Sequence, residues 1–268
     1  MSRMSRMSYV IVCLGLMALF VLPVLFLVWQ SLAPADGNSL IQAENSYQAI
    51  FEILPFWRYL GNSLFIVVIA VPLTCLVSSL VGFAMAQLPP RPRRQLLGLS
   101  GVWLIIPASA VWLFRFQLFD WAGLIDSRLV LLLPAVAGSS PLFVLLHYWT
   151  VRSLPAGLVE AARLDGASPM QIWILIISPL TWPTSIAVIV LAFVMYWGDF
   201  ISPVLYIYSP SKYTLAVGVQ LVNQFDTTGY PLLAAAAVVM IAPVLLIYGW
   251  AQRYLLYTIP DFLNTRKS

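Results

Sequence analysis

Residues 153–169 read Ser153-Leu154-Pro155-Ala156-Gly157-Leu158-Val159-Glu160-Ala161-Ala162-Arg163-Leu164-Asp165-Gly166-Ala167-Ser168-Pro169. Three charges, two glycines and two prolines here interrupt a chain that is otherwise apolar on both sides. Pro155 suits a first helical turn, and Gly166 suits the left-handed position just past a helix end. Ser168-Pro169-Met170-Gln171 then supplies an N-cap serine, a proline at the first helical position and a glutamine at the third, so a new helix is predicted to start at Pro169. On the short first helix Leu158, Ala161, Ala162 and Asp165 share one face, with Glu160 and Arg163 spaced to pair beside it. The two alanines make that face shallow, as suits a helix lying in a groove of another protein. An ordinary interfacial loop is the alternative from the residues alone.

The flanks define the fold class. Apolar residues make up 61% of the chain and charged ones 9%, against about 45–50% and about 25% in soluble domains. Six runs are each long enough to cross a hydrocarbon core as a helix: Tyr9 to Trp29, Ser63 to Met85, Leu96 to Phe114, Leu129 to Tyr148, Thr184 to Tyr206 and Leu232 to Trp250. Pro23, Pro72, Pro107, Pro134 and Pro243 predict kinks within them. The first run, preceded by Arg3 and Arg6, is too long for a signal-peptide core, so it is expected to be retained although Ala33-Pro34-Ala35 resembles a cleavage site. Cys13 and Cys75 lie inside apolar runs, where a thiol acts as a small hydrophobe, and no disulfide framework or zinc site is implied.

The formal charge of +4 is distributed by topology rather than along a nucleic-acid-binding face. If the spans alternate, Arg3, Arg6, Arg91, Arg93, Arg94, Arg152, Arg163, Arg253, Arg266 and Lys267 share one side. Arg58, Arg128 and Lys212 take the other, and Arg115 sits at the end of the third span. By the positive-inside rule both termini and the 153–169 segment are cytoplasmic. Asp36, Glu44, Glu52, Asp120, Asp126 and Asp226 then face outward.

Resemblance adds a family. Glu160-Ala161-Ala162, then Asp165-Gly166-Ala167, then Ile176 and Pro179, resembles the Glu-Ala-Ala loop of permease subunits in binding-protein-dependent ABC importers. Asn62-Ser63-Leu64, Ser78-Ser79, Trp197-Gly198-Asp199-Phe200, residues 213–218 and Gln252-Arg253-Tyr254 resemble the carbohydrate-uptake branch, in particular the smaller maltose-type subunit. The resemblance covers about Tyr59 to Tyr254, and it is weakest over the third and fourth spans.

The resemblance implies an all-α polytopic membrane protein with six transmembrane helices, the type I ABC importer permease fold, and a cytoplasmic coupling helix. It divides the chain into 1–58, an N-terminal helix and external segment; 59–254, the transmembrane domain; and 255–268, a tail that departs from the glycine-containing tails of many relatives. It implies that Leu158, Glu160, Ala161, Ala162, Asp165 and Gly166 engage a partner ATPase. Further expected partners are a second permease that is a different chain, two ATPase subunits, an extracytoplasmic solute-binding protein and membrane lipid, with no nucleic acid. The expected location is a bacterial inner membrane. ATP and magnesium are expected on the ATPase and no cofactor on this chain, which has no Gly-rich phosphate loop.

Asp199 stands among apolar neighbours, and with Tyr196 and Trp197 it is a candidate for the cargo pathway; a structural hydrogen bond is the alternative. Arg115 is expected to snorkel to the interface and His147, the only histidine, to be packed. A membrane enzyme would need a catalytic or metal-binding cluster that is not in the sequence. An ion-coupled transporter would show repeated halves and buried ionisable residues. A non-sugar cargo in the same importer class remains open.

Overall fold

The computed structural model describes residues 3–32, 46–155, 157–225 and 230–256. The external segment carrying Ala33-Pro34-Ala35, Asp36 and Glu44, then Ala156, Asp226 and the tail from residue 257 lie outside the described residues, as do the side chains of Arg3 and Arg6.

Every described element is helical. The order is α1 (Arg3–Ser31), α2 (Ser46–Ile53), α3 (Phe56–Gln87), α4 (Pro90–Ile105), α5 (Ala108–Trp121), α6 (Leu129–Val136), α7 (Pro141–Ser153), α8 (Gly157–Leu164), α9 (Pro169–Ile172), α10 (Ser178–Leu180), α11 (Trp182–Trp197), α12 (Ile201–Tyr206), α13 (Leu215–Phe225) and α14 (Tyr230–Leu256). A π-helical turn over Trp173–Ile177 joins α9 to α10. Four stretches are long and apolar enough to span a membrane unbroken: Ile11–Ser31, Phe56–Gln87, Leu129–Ser153 and Pro231–Tyr254. Counting each of two bent helix pairs as one span brings the number to six.

The bends correct two expected spans. The run Leu96 to Phe114 is not one straight helix, because α4 and α5 meet at 98°. Pro107 has no N–H to continue the ladder and forces Ile106 into an extended conformation, with ψ of 120°. The run Thr184 to Tyr206 is also divided. α11 starts at Trp182 after an 80° bend from Pro169–Leu180 and ends at Trp197. Gly198 caps it, and the Asp199 carboxylate accepts the Ser202 N–H at 3.1 Å, so Asp199 lies between two helices rather than within one. Pro23, Pro72, Pro134 and Pro243 lie inside helices.

α3 is the central post, packed on α7, α11 and α6. Gly82 lets α7 approach it: a Cβ there would stand 2.7 Å from the His147 Cβ and 2.8 Å from the Tyr148 nitrogen. Small polar side chains on α3 are paired across the contact. Thr74 meets Ser139, and Ser78 meets His147, whose other ring nitrogen lies 3.3 Å from Ser185 Oγ. His147 is therefore a fully buried, satisfied structural residue, as expected. α1 packs on α14 and none of its apolar window is buried, which suits a helix bathed in lipid.

At one end of the bundle three segments are tied together. Asn62 at the top of α3 donates to the Ser211 and Tyr213 carbonyls at 3.0 and 2.9 Å and accepts from Arg128 at 3.1 Å. Asp126, held at φ 58°, pairs with Lys212 at 2.9 Å and accepts the Ser209 and Tyr208 N–H groups. The Ser209 hydroxyl, the Ser209 N–H and the Lys212 ammonium hold the Asp126 carboxyl well below the usual carboxylate range.

Candidate functional site

The arginine-rich end carries α8. α7 stops where Leu154 turns extended ahead of Pro155, and α8 begins at Gly157. Its last turn closes in a Schellman motif: the Ala167 N–H reaches the Ala162 carbonyl and the Gly166 N–H the Arg163 carbonyl, both at 3.0 Å. Gly166 sits between them at φ 80°, the left-handed position expected for it. The capping box at Ser168 is also present, with Ser168 N–H to Gln171 Oε1 at 2.8 Å and Gln171 N–H to Ser168 Oγ at 3.4 Å.

The structure divides the face predicted for α8. Ala162 is 7% exposed and packs into this chain's own core with Phe83, Val144, Tyr148 and Ile172, while Leu158 is half-buried. Arg163 does not pair with Glu160; its guanidinium donates to Gln87 at the end of α3 at 3.0 Å. The outward side is formed by Glu160, Ala161, Leu164 and Asp165. Leu164 is 89% exposed. It was not among the predicted docking residues, yet its spacing of four from Glu160 and three from Ala161 puts it on their face. Assigning the two alanines to one face concealed this, since they are 100° apart on a helix and only one can point inward.

A second site lies towards the other end. The elbow between α4 and α5, the junction of α6 with α7 and the break between α11 and α12 enclose a cavity of about 390 Å³. Trp103, Trp112, Arg115, Ser139, Tyr196, Asp199, Ser202 and Tyr206 line it. The Tyr196 hydroxyl is fixed by Ser139 at 2.7 Å. Arg115, on α5 beyond the 98° elbow, is among the side chains that line this cavity. Trp197 departs from the predicted group: it is 2% exposed, stacks on Phe193 at 5.5 Å and donates its indole N–H to the Met240 carbonyl at 2.9 Å. One residue on from Tyr196, it points about 100° away and into the core. Among the described residues no group of three or more histidine, cysteine or acidic side chains is arranged to hold a metal.

Comparison with known proteins agrees with this architecture. Residues 78–256, which include α8 and every residue that lines the cavity, match the family described as binding-protein-dependent transport system inner membrane component. The arabinooligosaccharides transport system permease protein AraQ of Halalkalibacterium halodurans is 29% identical over 245 residues, covering 87% of each chain. The maltose/maltodextrin transport system permease protein MalG of Vibrio parahaemolyticus is 30% identical over 210 residues, covering 75% of this chain and 70% of that one. A chain from the crystal structure of a bacterial ABC transporter that imports the acidic polysaccharide alginate superposes with a TM-score of 0.74 at 21% identity, over 95% of this chain and 98% of that one.

Proposed function

The chain belongs to the family of binding-protein-dependent transport system inner membrane components, and from that premise we propose that it imports a sugar, oligosaccharide or sugar derivative, driven by a partner ATPase that docks on α8. As a member of that family it is a multi-pass permease subunit of an ABC importer rather than an enzyme. The sugar cargo is supported by the relatives named for arabino-oligosaccharides and maltodextrins. α8 is the observation that carries the coupling. It presents Glu160, Ala161 and Leu164 outward while Ala162 and Arg163 tie its inner side to α3 and the π-turn segment.

Two ATPase subunits closing around ATP and magnesium would displace α8, and its inner contacts would pass that displacement to α3 and α9. The permease pair, this chain and a second, different one, would thereby switch between inward and outward openings, with an extracytoplasmic binding protein delivering the cargo. Both termini lie in the cytoplasm. Leu164 is the apolar anchor of the docked helix, and Glu160 the polar contact beside it, in the pattern of an amphipathic helix seated in a groove.

The test is thiol protection at Leu164→Cys in a Cys13→Ser, Cys75→Ala background. An impermeant thiol reagent should label it in inside-out vesicles stripped of ATPase and lose that access once the ATPase is restored. Labelling in right-side-out vesicles, or undiminished labelling with the ATPase bound, overturns the proposal.

A further inference from the structure

We propose that this subunit itself binds the cargo, in the cavity between the α4–α5 elbow and the α11–α12 break, and that the ligand is an uncharged oligosaccharide bridged between Arg115 and Asp199. The inference rests on the carbohydrate reading above and names the class within it.

Three observations carry it. Arg115 and Asp199 line one cavity without forming an ion pair; among the described residues the ion pair found is Lys212–Asp126, at the end of the bundle. Opposite charges that line one cavity without pairing with each other suit a ligand that satisfies both. Neighbouring hydroxyls of a sugar do so, one donating to the carboxylate and the other accepting from the guanidinium. Second, the Tyr206 hydroxyl is buried with no hydrogen-bond partner, in a residue 3% exposed that lines the same cavity. A buried hydroxyl without a partner is costly, and a polyol supplies one. Third, Trp103 and Trp112 give the cavity aromatic walls, against which the apolar C–H faces of sugar rings can pack.

Charge selects among sugars. Arg115 and Asp199 sum to zero, and Asp199 spends one oxygen on the Ser202 N–H, leaving the other for a ligand donor. A uronate would meet Arg115 favourably but would bring its carboxylate towards Asp199, and like charges repel. A neutral ring meets neither penalty. The volume of about 390 Å³ falls within the span of ordinary small-molecule sites.

The experiment uses the whole importer in proteoliposomes, with Ser202→Cys as a reporter on the cavity wall and Cys13 and Cys75 replaced as above. Labelling by an impermeant methanethiosulfonate is followed with maltotriose, arabinotriose or galactotriose, and with trigalacturonate as the acidic counterpart. At least one neutral trisaccharide should protect the reporter while trigalacturonate does not. Arg115→Leu and Asp199→Asn should each raise the protecting concentration about tenfold, the loss of one hydrogen bond to a charged group. Protection by none of these sugars, equal protection by trigalacturonate, or protection unchanged in both variants overturns the proposal. Failure of the unsubstituted importer to show stimulated ATP hydrolysis would overturn the importer reading beneath it.

Discussion

Gly166→Val is a probe of coupling whose cost can be worked from the geometry. The residue sits at φ 80°, and an added Cβ would meet nothing within 4 Å. No neighbour need move, so the cost lies in the backbone alone. Holding an L-residue in the left-handed region costs about 1–2 kcal/mol, with a β-branched one at the upper end. Escape to negative φ instead forfeits the Ala167–Ala162 and Gly166–Arg163 bonds, each worth about 0.5–1.5 kcal/mol. Either route therefore costs on the order of 1–3 kcal/mol, a weakening of docking by about 5- to 150-fold. α8 has 8 residues, too few to persist without its caps and packing. Reconstituted importer carrying Gly166→Val should assemble yet lose uptake and binding-protein-stimulated ATP hydrolysis together. Gly166→Asn should keep more of both, because asparagine tolerates the left-handed region. Parental activity in the valine variant, or equal damage from valine and asparagine, would refute the reasoning.

Two further predictions concern the frame. Gly82→Leu inserts a side chain where even a Cβ would stand 2.7 Å from His147 and 2.8 Å from the Tyr148 backbone; thermal unfolding in detergent should show a destabilisation of about 1–3 kcal/mol or failure to assemble, whereas Gly61→Leu, facing open space, should be nearly neutral. Asp126 has its carboxyl pKa depressed by Ser209 and Lys212, so the stability it contributes is complete above the unfolded aspartate value of about 3.9 and is lost as pH falls below it. Thermal melts of the parental chain should then have a flat contribution from this site between neutral pH and about pH 4, with loss only below that; Asp126→Asn should melt lower at neutral pH, and the gap should narrow in stronger acid. A gap that widens on acidification would contradict the assigned sign.

Much of this was legible in the chain because membranes impose simple rules. Apolar runs of span length, arginines gathered between alternate runs, and the Gly166 and Ser168 capping signals each follow from local chemistry. The turn, the capping box and the helix between the fourth and fifth spans accordingly formed where they were read. The resemblance of 153–169 and its surroundings to importer permeases was likewise local, since it is carried by a continuous segment.

What the sequence by itself determined was therefore the membrane-spanning helical class, the family and the place of the short helix α8 with its caps. The tertiary structure decided which way individual side chains point. A run of apolar residues has the same composition whether it is straight or bent through 98°, and only the packing of the α4–α5 elbow brings Arg115 to the cavity that Asp199 lines. Trp197 and Tyr196 are neighbours in sequence, but α14 accepts the indole of one while Ser139 holds the hydroxyl of the other. The alternation along α8 that buries Ala162 and exposes Leu164 depends on where the end of α3 lies against it. Local signals specify where a helix begins and ends; its rotation about its own axis is set by the neighbours it packs on, and those lie far away in the chain.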